Sequence, residues 1–394
     1  MDVDANPFSF GALALDEAFV DREAELTALL GDLRSGQDVV LLAPRRYGKS
    51  SLVLRAMQAA AGEGTLVAYC DLMRTPTKQR FAGALAKSIL DDLASPAGQL
   101  LERAAALVRG LRVRPTIEID PDEAGVRFSF EAARAPADID ETIERLLELP
   151  GRIGVERGRR VALVLDEFQE VVKLDEALPN LMRAVFQTQP EVGHVYLGSK
   201  RHVLEAIFSD RHEPFWRSAR RMELGRIPHD AFGAYLHARF RGTERDADED
   251  AVARILDVAD GHPYATQELA YFTWARVPRG FPTHASDVEA ALAEVLRAEH
   301  NNLARLWDGA TRNERLVLLA LAPGPAALYA EETRLRFGLP AATNVQRAAT
   351  ALTREDVVEK GADGRYRIAE PFLAHWIARE QGAGAALPRG DGHG

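Results

Sequence analysis

The 394-residue sequence predicts an α/β fold built on a parallel β-sheet, followed by a helical region and a small C-terminal module. Three observations indicate this fold. Short, almost wholly apolar segments alternate with amphipathic helical patterns, as in a parallel sheet covered by helices on both faces. The first apolar segment ends in a loop that contains a glycine–lysine pair and opens a helix. Strand signals stop near residue 226, where helical periodicity takes over.

The first apolar segment, residues 39–42, leads into a loop and then into a helix-forming stretch at residues 52–61. The loop reads Ala43, Pro44, Arg45, Arg46, Tyr47, Gly48, Lys49, Ser50 and Ser51. A strand that ends in a tight loop before a helix directs backbone N–H groups at one point, where they can hold nucleotide phosphates.

The loop matches the last three positions of the phosphate-binding pattern G-x-x-x-x-G-K-[ST]. In that pattern Lys49 is expected to reach the β- and γ-phosphates and Ser50 the Mg²⁺. The first glycine of the pattern is Ala43 here, which narrows the backbone angles allowed at this position. The alternative interpretation is a chance Gly-Lys-Ser in an ordinary turn.

Four further strands of the sheet are predicted at residues 66–70, 161–165 and 194–197 and near residues 222–224. Between residues 114 and 130, two segments that alternate apolar and polar residues flank a turn-forming stretch, residues 121–125. We expect these two segments to form a β-hairpin inserted into the α/β core.

Two adjacent carboxylates, Asp166 and Glu167, directly follow the predicted strand at residues 161–165. Ligands bind at this edge of parallel sheets. Because successive strand residues point in opposite directions, Asp166 is expected to support the Mg²⁺ shell while Glu167 orients or deprotonates an attacking water. The alternative is a pair of acids that complements the N-terminus of the next helix.

A third strand end brings Ser199, Lys200 and Arg201 to the same edge. Ser199 is a candidate for a hydrogen bond to the γ-phosphate or to the attacking water. Arg201, or Lys200 in its place, is a candidate sensor of the γ-phosphate, because a cationic group matches the spread charge of a phosphoryl group. For each residue alone, a solvated helix start is the alternative.

Composition limits the classes of function. The formal net charge of −10 argues against a protein whose whole surface grips nucleic acid, so any DNA contact is confined to one module. The single cysteine, Cys70, excludes an internal disulfide, and we expect it to be a small strand hydrophobe. The N-terminus lacks the basic start of a signal peptide, and no apolar run approaches the roughly 20 residues that span a bilayer. We therefore expect a cytoplasmic protein without membrane contact.

The last third of the chain predicts three helices, near residues 313–321, 330–337 and 343–352, and then two short strands. Asp363 and Gly364 between the strands are a strong hairpin signal. Three helices and a hairpin describe a winged helix. As a DNA-binding module, it would place its third helix in the major groove and its wing against phosphates. The residues concerned are Asn344, Gln346, Arg347 and Thr350 on the helix, and Arg365 and Arg367 on the wing.

The alternative for this module is a winged helix that docks a protein. Acidic residues, Glu355, Asp356, Glu359 and Asp363, lie beside the basic ones in the sequence. The module therefore lacks the clear positive face that a DNA footprint requires.

Together these features resemble the AAA+-like P-loop ATPases of archaea and bacteria, which are related to signal-transduction ATPases with numerous domains and to origin-recognition ATPases. The resemblance covers roughly residues 6–379. It rests mainly on the loop at residues 44–52 and on the acidic segment at residues 165–169. Supporting matches lie at residues 19–26, at Gly198 and Ser199, and at residues 261–264.

The resemblance implies further site residues. It implies that residues 6–8, together with Phe19 and Val20, lie near the adenine, which favours ATP over GTP. It also implies that the turn with His262 and Pro263 brings a helical lid against the nucleotide. On local grounds alone, Gly261 followed by Pro263 equally indicates an ordinary helix–helix junction.

Four regions follow from these patterns. They are an α/β P-loop ATPase core at residues 1–226, a helical lid at 227–300, a winged helix at 301–380 and a disordered tail at 381–394. Arg217, Arg220 and Arg221 are candidates for an arginine finger or for charge pairing within the core, and the sequence does not choose between these roles.

The predicted function is that of a Mg²⁺-dependent ATPase that binds ATP or ADP between core and lid and acts as a nucleotide-controlled switch. Glu167 would orient the attacking water while Lys49 and Mg²⁺ stabilise the transferring phosphoryl group. Two alternatives stay open at this point. One is a DNA-binding regulator or loader whose affinity ATP sets through the winged helix. The other is a nucleotide-dependent scaffold that hydrolyses ATP slowly or not at all. Partners include duplex DNA, a protein or further copies of the chain.

Overall fold

The computed structural model describes residues 4–13, 19–89, 113, 115–120, 125–130, 136–361 and 363–382. The chain divides into two compact units. The sheet unit comprises Arg22–Ala43 and Lys49–Leu224, and the C-terminal unit comprises Met1–Asp21, Pro44–Gly48 and Gly225–Gly394. The four regions predicted from the sequence stay a prediction, and nearly all of the predicted disordered tail lies outside the described residues.

The sheet unit contains a five-stranded sheet with the order β2-β5-β6-β1-β7. Its strands are β1 (Val39–Leu42), β2 (Leu66–Asp71), β5 (Val161–Asp166), β6 (Val192–Leu197) and β7 (Arg220–Glu223). Every pairing in this sheet is parallel. All residues of β1 and β6 are buried, as their apolar sequences predict. The predicted α/β fold with a parallel sheet is confirmed.

The helices of the sheet unit alternate with these strands. They are α1 (Glu23–Ser35), α2 (Lys49–Gly62), α3 (Lys78–Ser88), α4 (Pro136–Arg157), α5 (Glu170–Leu174), α6 (Leu178–Phe186) and α7 (Arg201–Ser209). A cluster of buried aromatic rings joins helices to sheet: Phe168 lies 4.7 Å from Tyr196 and 5.3 Å from Phe215, between ring centroids. Cys70 is buried in β2, as expected.

The edge strand β7 begins two residues earlier than predicted, at Arg220. Both of its arginines are exposed, and Arg220 Nε donates to Asp32 Oδ2 at 2.7 Å. Only Met222 of this strand is buried. Charged side chains are tolerated here because an edge strand has one side open to water, and apolarity alone therefore does not reveal the start of the strand.

The predicted hairpin is confirmed. Strands β3 (Pro115–Asp120) and β4 (Gly125–Phe130) pair antiparallel, with Pro115 opposite Phe130 and Asp120 opposite Gly125. The turn between them lies outside the described residues.

The C-terminal unit is mostly helical. Its helices are α8 (His229–Arg241), α9 (Glu249–Ala259), α10 (Pro263–Arg276), α11 (Ala285–Ala298), α12 (His300–Gly309), α13 (Arg312–Leu321), α14 (Glu331–Phe337), α15 (Ala342–Arg354) and α16 (Pro371–Glu380). Strands β8 (Val358–Lys360) and β9 (Tyr366–Ile368) form an antiparallel hairpin. The predicted helices and hairpin are therefore present, while their assignment as a winged helix stays a prediction.

One apolar core runs through the C-terminal unit, from α8 to α16. Phe8 from the N-terminal segment is buried in it, with its ring 4.9 Å from that of Phe240. Asn6 beside it donates from Nδ2 to the carbonyl oxygen of Tyr271 at 3.1 Å. Within the described residues, no helix has both the length and the apolarity needed to cross a bilayer.

Candidate functional site

Three adjacent strands of the sheet unit, β5, β6 and β1, end at the same edge because they are parallel. Lys49 and Ser50 follow β1, Asp166 ends β5, and Ser199 follows β6. These are the residues that the sequence predicted as a catalytic and metal-binding set, and the strand order brings their elements together.

The loop after β1 bends through two left-handed residues, Arg46 with φ +66° and Gly48 with φ +83°. Glycine adopts this conformation without strain, which explains the glycine at position 48. Lys49 opens helix α2 and donates from Nζ to the carbonyl oxygen of Ala43 at 2.9 Å. Pro44 and Ser51 are buried, whereas Arg45 is exposed.

Asp166 lies within reach of Ser50, whose Oγ is 3.4 Å from Asp166 Oδ2. The Tyr69 hydroxyl donates to the same oxygen, and the Glu167 N–H donates to Oδ1 at 2.8 Å. Burial raises the pKa of Asp166 above its ordinary value and outweighs these hydrogen bonds, which lower it. The sequence analysis missed Tyr69; its one signal is its place on β2, the strand paired with β5.

The residues fit the Mg²⁺ that the sequence predicted, since hydroxyl and carboxylate oxygens are the donors that this ion prefers. Ser50 and Asp166 would hold it. The described residues contain no cluster of three His, Cys, Asp or Glu side chains that could bind a metal by themselves. Such a Mg²⁺ would therefore need phosphate or water oxygens to complete its shell.

Glu167 follows Asp166 in a left-handed turn, with φ +55°. Its Oε2 accepts three hydrogen bonds: from Ser199 Oγ at 2.8 Å, from Ser199 N at 3.2 Å and from the side-chain amide of Gln169. Burial raises the pKa of Glu167, but these donors and the charge of Lys49 together outweigh it and hold the pKa below its ordinary value. Glu167 is thus a carboxylate at neutral pH.

Gln169 is buried, and the sequence analysis assigned no role to it. A Cβ atom on Gly198 would lie 2.1 Å from Gln169 Oε1, closer than any real contact allows. Glycine at position 198 therefore lets Gln169 approach the strand end and donate to Glu167. The tight Gly198–Ser199 step is the sequence signal for this arrangement.

Arg201 is held by acids of its own unit rather than by the residues around Glu167. Its Nε lies 3.0 Å from Glu205 Oε1, and its Nη2 lies 3.4 Å from Glu223 Oε2. Its role as a γ-phosphate sensor stays a prediction that requires these pairs to open. Among the arginine-finger candidates, Arg220 pairs with Asp32 and Arg221 with Glu205, which is the charge-pairing alternative.

The remaining predicted site residues belong to the C-terminal unit. His262 caps helix α10, accepting from the Ala265 N–H at 3.2 Å, and Pro263 occupies the first turn. Burial, together with the charges of Arg226 and Arg46, lowers the pKa of His262 to about 3, so its ring is neutral. Phe19 is half-buried, and Val20 packs on the unit's apolar core.

The loop residues Arg46 and Tyr47 group with the C-terminal unit. The Arg46 guanidinium lies 4.0 Å from the centre of the Tyr264 ring and 3.7 Å from Glu370 Oε2. Tyr47 is buried, and its hydroxyl donates to Glu359 Oε2 at 2.9 Å. No pattern in the sequence predicts these contacts of Arg46 and Tyr47.

The predicted DNA-reading residues of the C-terminal unit divide into two groups. Gln346, Arg347 and Thr350 are exposed on α15, opposite its buried face, and Arg365 is exposed on the hairpin. Arg367 instead lies 3.2 Å from Asp260 Oδ2 through its Nη1 atom. Arg367 is therefore part of an internal ion pair.

Comparison with known families accounts for the strand-end arrangement. Residues 18–197 match the family model of the AAA ATPase domain. This segment is similar to AAA ATPase domains. The match spans the phosphate loop, Asp166 and Glu167, and it confirms the resemblance to AAA+-like P-loop ATPases.

Two solved structures are similar in fold over most of the chain. The Walker-type ATPase of Pyrococcus abyssi is 17% identical, with a TM-score of 0.63, over 94% of this chain and 99% of that one. The ORC2 protein of Aeropyrum pernix, described as ADPNP–ADP complexes, is 16% identical, with a TM-score of 0.52, over 95% of this chain and 99% of that one. No curated protein matches the chain.

Proposed function

We propose that the AAA ATPase domain of this protein binds Mg²⁺-ATP and hydrolyses it, and that the protein works as a nucleotide-controlled switch. The observation that carries the proposal is the Glu167 carboxylate, held charged by Ser199 and Gln169 beside the lysine of a phosphate loop. A partly buried side chain does not by itself require a charged carboxylate with several hydrogen-bond donors, whereas the activation of a water molecule does.

Each residue has a separate task in this proposal. Lys49 leaves the carbonyl oxygen of Ala43 and donates to the β- and γ-phosphates, where its charge stabilises the transition state. Glu167 accepts a hydrogen bond from the attacking water and aligns it with the γ-phosphorus. Ser199 holds the Glu167 carboxylate in place and senses whether a γ-phosphate is bound.

Mg²⁺, when bound, supplies positive charge to the phosphate oxygens in the transition state. Ser50 and Asp166 hold it by their oxygen atoms, and Tyr69 orients Asp166 through its hydroxyl. The family resemblance further implies a nucleotide contact for His262 and Pro263, which form a helix start. Phe19 and Val20 line the adenine side in this proposal, which rests on the family resemblance.

The test measures Mg²⁺-ATP binding by calorimetry and turnover by phosphate release. We expect Lys49→Ala to weaken binding at least about 100-fold, because it removes the cation of the loop. We expect Glu167→Gln to bind ATP normally and to lose about 100- to 1,000-fold in turnover, because an amide cannot accept the proton.

Matched controls are Lys173→Ala and Glu176→Gln, which change the same residue types at exposed positions of the sheet unit. Both should keep wild-type binding and turnover. A wild-type protein that fails to bind Mg²⁺-ATP contradicts the proposal. Binding without turnover, unaffected by Glu167→Gln, instead supports a nucleotide-dependent scaffold.

A second candidate is a DNA-binding regulator or loader whose affinity ATP sets. It is favoured by the exposed row of Gln346, Arg347 and Thr350 on α15. Duplex binding should then weaken with salt, and Arg347→Ala and Arg365→Ala should each weaken it roughly tenfold. Binding that is insensitive to both changes excludes this mode. Measuring the mass of the protein in solution with and without ATP tests the predicted self-association.

A further inference from the structure

The phosphate loop contains an aromatic residue that takes no part in the proposed chemistry. Tyr47 is only 2% exposed. Its ring stands edge-on to that of His262, with 4.9 Å between centroids. Its hydroxyl donates to Glu359 Oε2 at 2.9 Å. A residue two positions before Lys49 is thus fixed by a carboxylate of strand β8.

Glu359 is itself held in place. Its other oxygen, Oε1, accepts from Arg226 Nε at 2.8 Å and lies 3.8 Å from Arg367 Nε. One carboxylate therefore joins the tyrosine to two cations, and neither of its oxygens is left without a partner.

Arg226 is anchored to the backbone as well as to Glu359. Its guanidinium donates to the carbonyl oxygens of Asp260 and Ala369, each at 3.0 Å. Its side chain is 12% exposed. Because buried charged hydrogen bonds are among the strong ones, Glu359 has little freedom to turn away from Tyr47.

The neighbouring loop residue has an anchor in the same unit. Arg46 adopts a left-handed backbone, which is unfavourable for a residue with a Cβ atom. Its side chain packs on Tyr264 and pairs with Glu370. The two residues ahead of Gly48 are therefore held through their side chains, in a backbone shape that the loop would not keep alone.

We propose that Glu359 is a positioning residue of the phosphate loop and acts on it through Tyr47. This inference rests on the proposed function, that the loop binds nucleotide phosphates. The direction of the loop N–H groups depends on where Tyr47 is held. Losing the acceptor on β8 frees the buried hydroxyl, loosens the loop and weakens phosphate binding, while Glu167 and its donors stay as they are.

The test compares four variants by calorimetry with Mg²⁺-ATP: Glu359→Ala, Glu359→Gln, Tyr47→Phe and the double variant Tyr47→Phe/Glu359→Ala. We expect Glu359→Ala to weaken binding about tenfold. Glu359→Gln should recover only part of this loss, because its amide oxygen can accept from Tyr47 while its amide nitrogen cannot accept from Arg226. The double variant should bind no more weakly than Glu359→Ala alone, because both changes break the same contact.

A second readout does not depend on nucleotide. Hydrogen exchange of the loop amides at residues 45–49 should be faster in Glu359→Ala and in Tyr47→Phe than in the wild type, and intermediate in Glu359→Gln. The control, Glu355→Ala, removes an exposed acid close in sequence to β8 and should change neither binding nor exchange.

The outcomes separate this inference from the proposed function. A wild-type protein that does not bind Mg²⁺-ATP overturns both. If the wild type binds Mg²⁺-ATP and both Glu359→Ala and Glu359→Gln keep its affinity and its rate of loop exchange, only the positioning role is overturned. A loss in Glu359→Ala that adds fully to that of Tyr47→Phe also overturns it, since the two residues would then act independently. If Glu359→Ala does not fold, Tyr47→Phe and Glu359→Gln carry the same comparison.

Discussion

Glu167 in the sheet unit is partly buried and Glu268 in the C-terminal unit is fully buried, and the groups around them have opposite effects on their charge. Glu167 accepts hydrogen bonds from Ser199 and Gln169, and its pKa lies below the ordinary value. Glu268 is 2% exposed, and its Oε2 has no hydrogen-bond partner among the described residues. Burial, reinforced by the carboxylates of Glu299 and Glu370, raises the pKa of Glu268 to about 8.

Burial raises the pKa of both carboxyl groups, and the difference between them is that hydrogen-bond donors and Lys49 offset it only at Glu167. Arg46 lowers the pKa of Glu268 but does not overcome burial and two neighbouring acids. Glu268 lines a cavity of about 460 Å³ and is mostly protonated at neutral pH. Glu167 keeps its charge, and a general base or a water-orienting group needs that charge.

The largest expected effect comes from a substitution that disturbs the hydrogen-bond donors of Glu167. In Gly198→Ala, the new Cβ would lie 2.1 Å from Gln169 Oε1, so the buried amide must move away. We expect the free energy of unfolding to fall by about 3 kcal/mol, the upper end of overpacking costs. Urea titration measures it.

The control for this change is Gly31→Ala in helix α1, where a Cβ meets no atom within 4 Å among the described residues. This variant should be unchanged or more stable by up to about 1 kcal/mol, because alanine favours helix. Equal stability of the two variants would show that Gln169 is not held tightly against the strand end.

The next effect concerns Glu268 and depends on pH. The folded protein holds the Glu268 proton up to about pH 8, whereas the unfolded chain releases it near the ordinary value of 4.5. The folded state therefore binds more protons across this window, and this group makes the free energy of unfolding fall as pH rises from about 4.5 to 8. Glu268→Gln removes the dependence and should make the protein more stable than the wild type at pH 9.

Thermal unfolding of Glu268→Gln and wild type at pH 5 and pH 9 measures this difference. The gain should nearly vanish at pH 5, where the wild-type side chain is mostly protonated in the folded state and partly so in the unfolded state. Glu331→Gln, at an exposed position of α14, should show no gain at either pH. A gain of equal size at both pH values would contradict a titrating Glu268.

A smaller effect tests what the donors do for the proposed reaction. Ser199→Ala removes the Oγ donor at 2.8 Å and leaves the backbone donor at 3.2 Å. We expect turnover to fall about tenfold, which corresponds to roughly 1.4 kcal/mol, with ATP affinity little changed. Ser35→Ala, on the exposed end of α1, is the control. Unchanged turnover in Ser199→Ala would mean that this hydroxyl does not position Glu167.

The smallest effect concerns a helix cap away from both carboxyl groups and gives the expected size of a simple hydrogen-bond contribution. Thr311 caps helix α13: its Oγ1 accepts from the Glu314 N–H at 3.4 Å, and its own N–H donates to Glu314 Oε2 at 2.7 Å. Thr311→Ala should lower the free energy of unfolding by about 1 kcal/mol. If urea titration shows that Thr311→Ala loses as much free energy of unfolding as Gly198→Ala, a surface cap stabilises the protein as much as the packing around Gly198.

Much of the fold was predictable because it depends on local patterns. Apolar segments flanked by loop signals predicted β1, β2 and β5 to within one residue and β6 from its third residue onward, and the alternation around residue 121 predicted the hairpin. The edge strand β7 was predicted two residues too late because its exposed arginines interrupt the apolar pattern. In the candidate site, Lys49 and Ser50 were predicted from the pattern of the loop after β1, and Asp166, Glu167 and Ser199 were predicted because they lie at the ends of apolar strands.

What surrounds those residues was not predictable in the same way. Tyr69 donates to a carboxylate 97 positions away, and Tyr47 donates to one 312 positions away. Arg367, predicted to meet DNA phosphates, is paired with Asp260, which lies 107 positions from it. No local pattern records which distant acid a tyrosine or an arginine will meet.

Local sequence patterns are enough to predict the parallel sheet, the phosphate loop and the acids at the strand ends, because apolar periodicity and the chemistry of glycine, lysine and aspartate act over a few residues. Which carboxyl groups keep their charge depends instead on tertiary packing. Glu167 and Glu268 are the same residue type, and their pKa values move in opposite directions because donors offset burial at Glu167, whereas burial and neighbouring acids act together at Glu268. Tertiary packing likewise brings Glu359 within hydrogen-bond distance of Tyr47 in the phosphate loop.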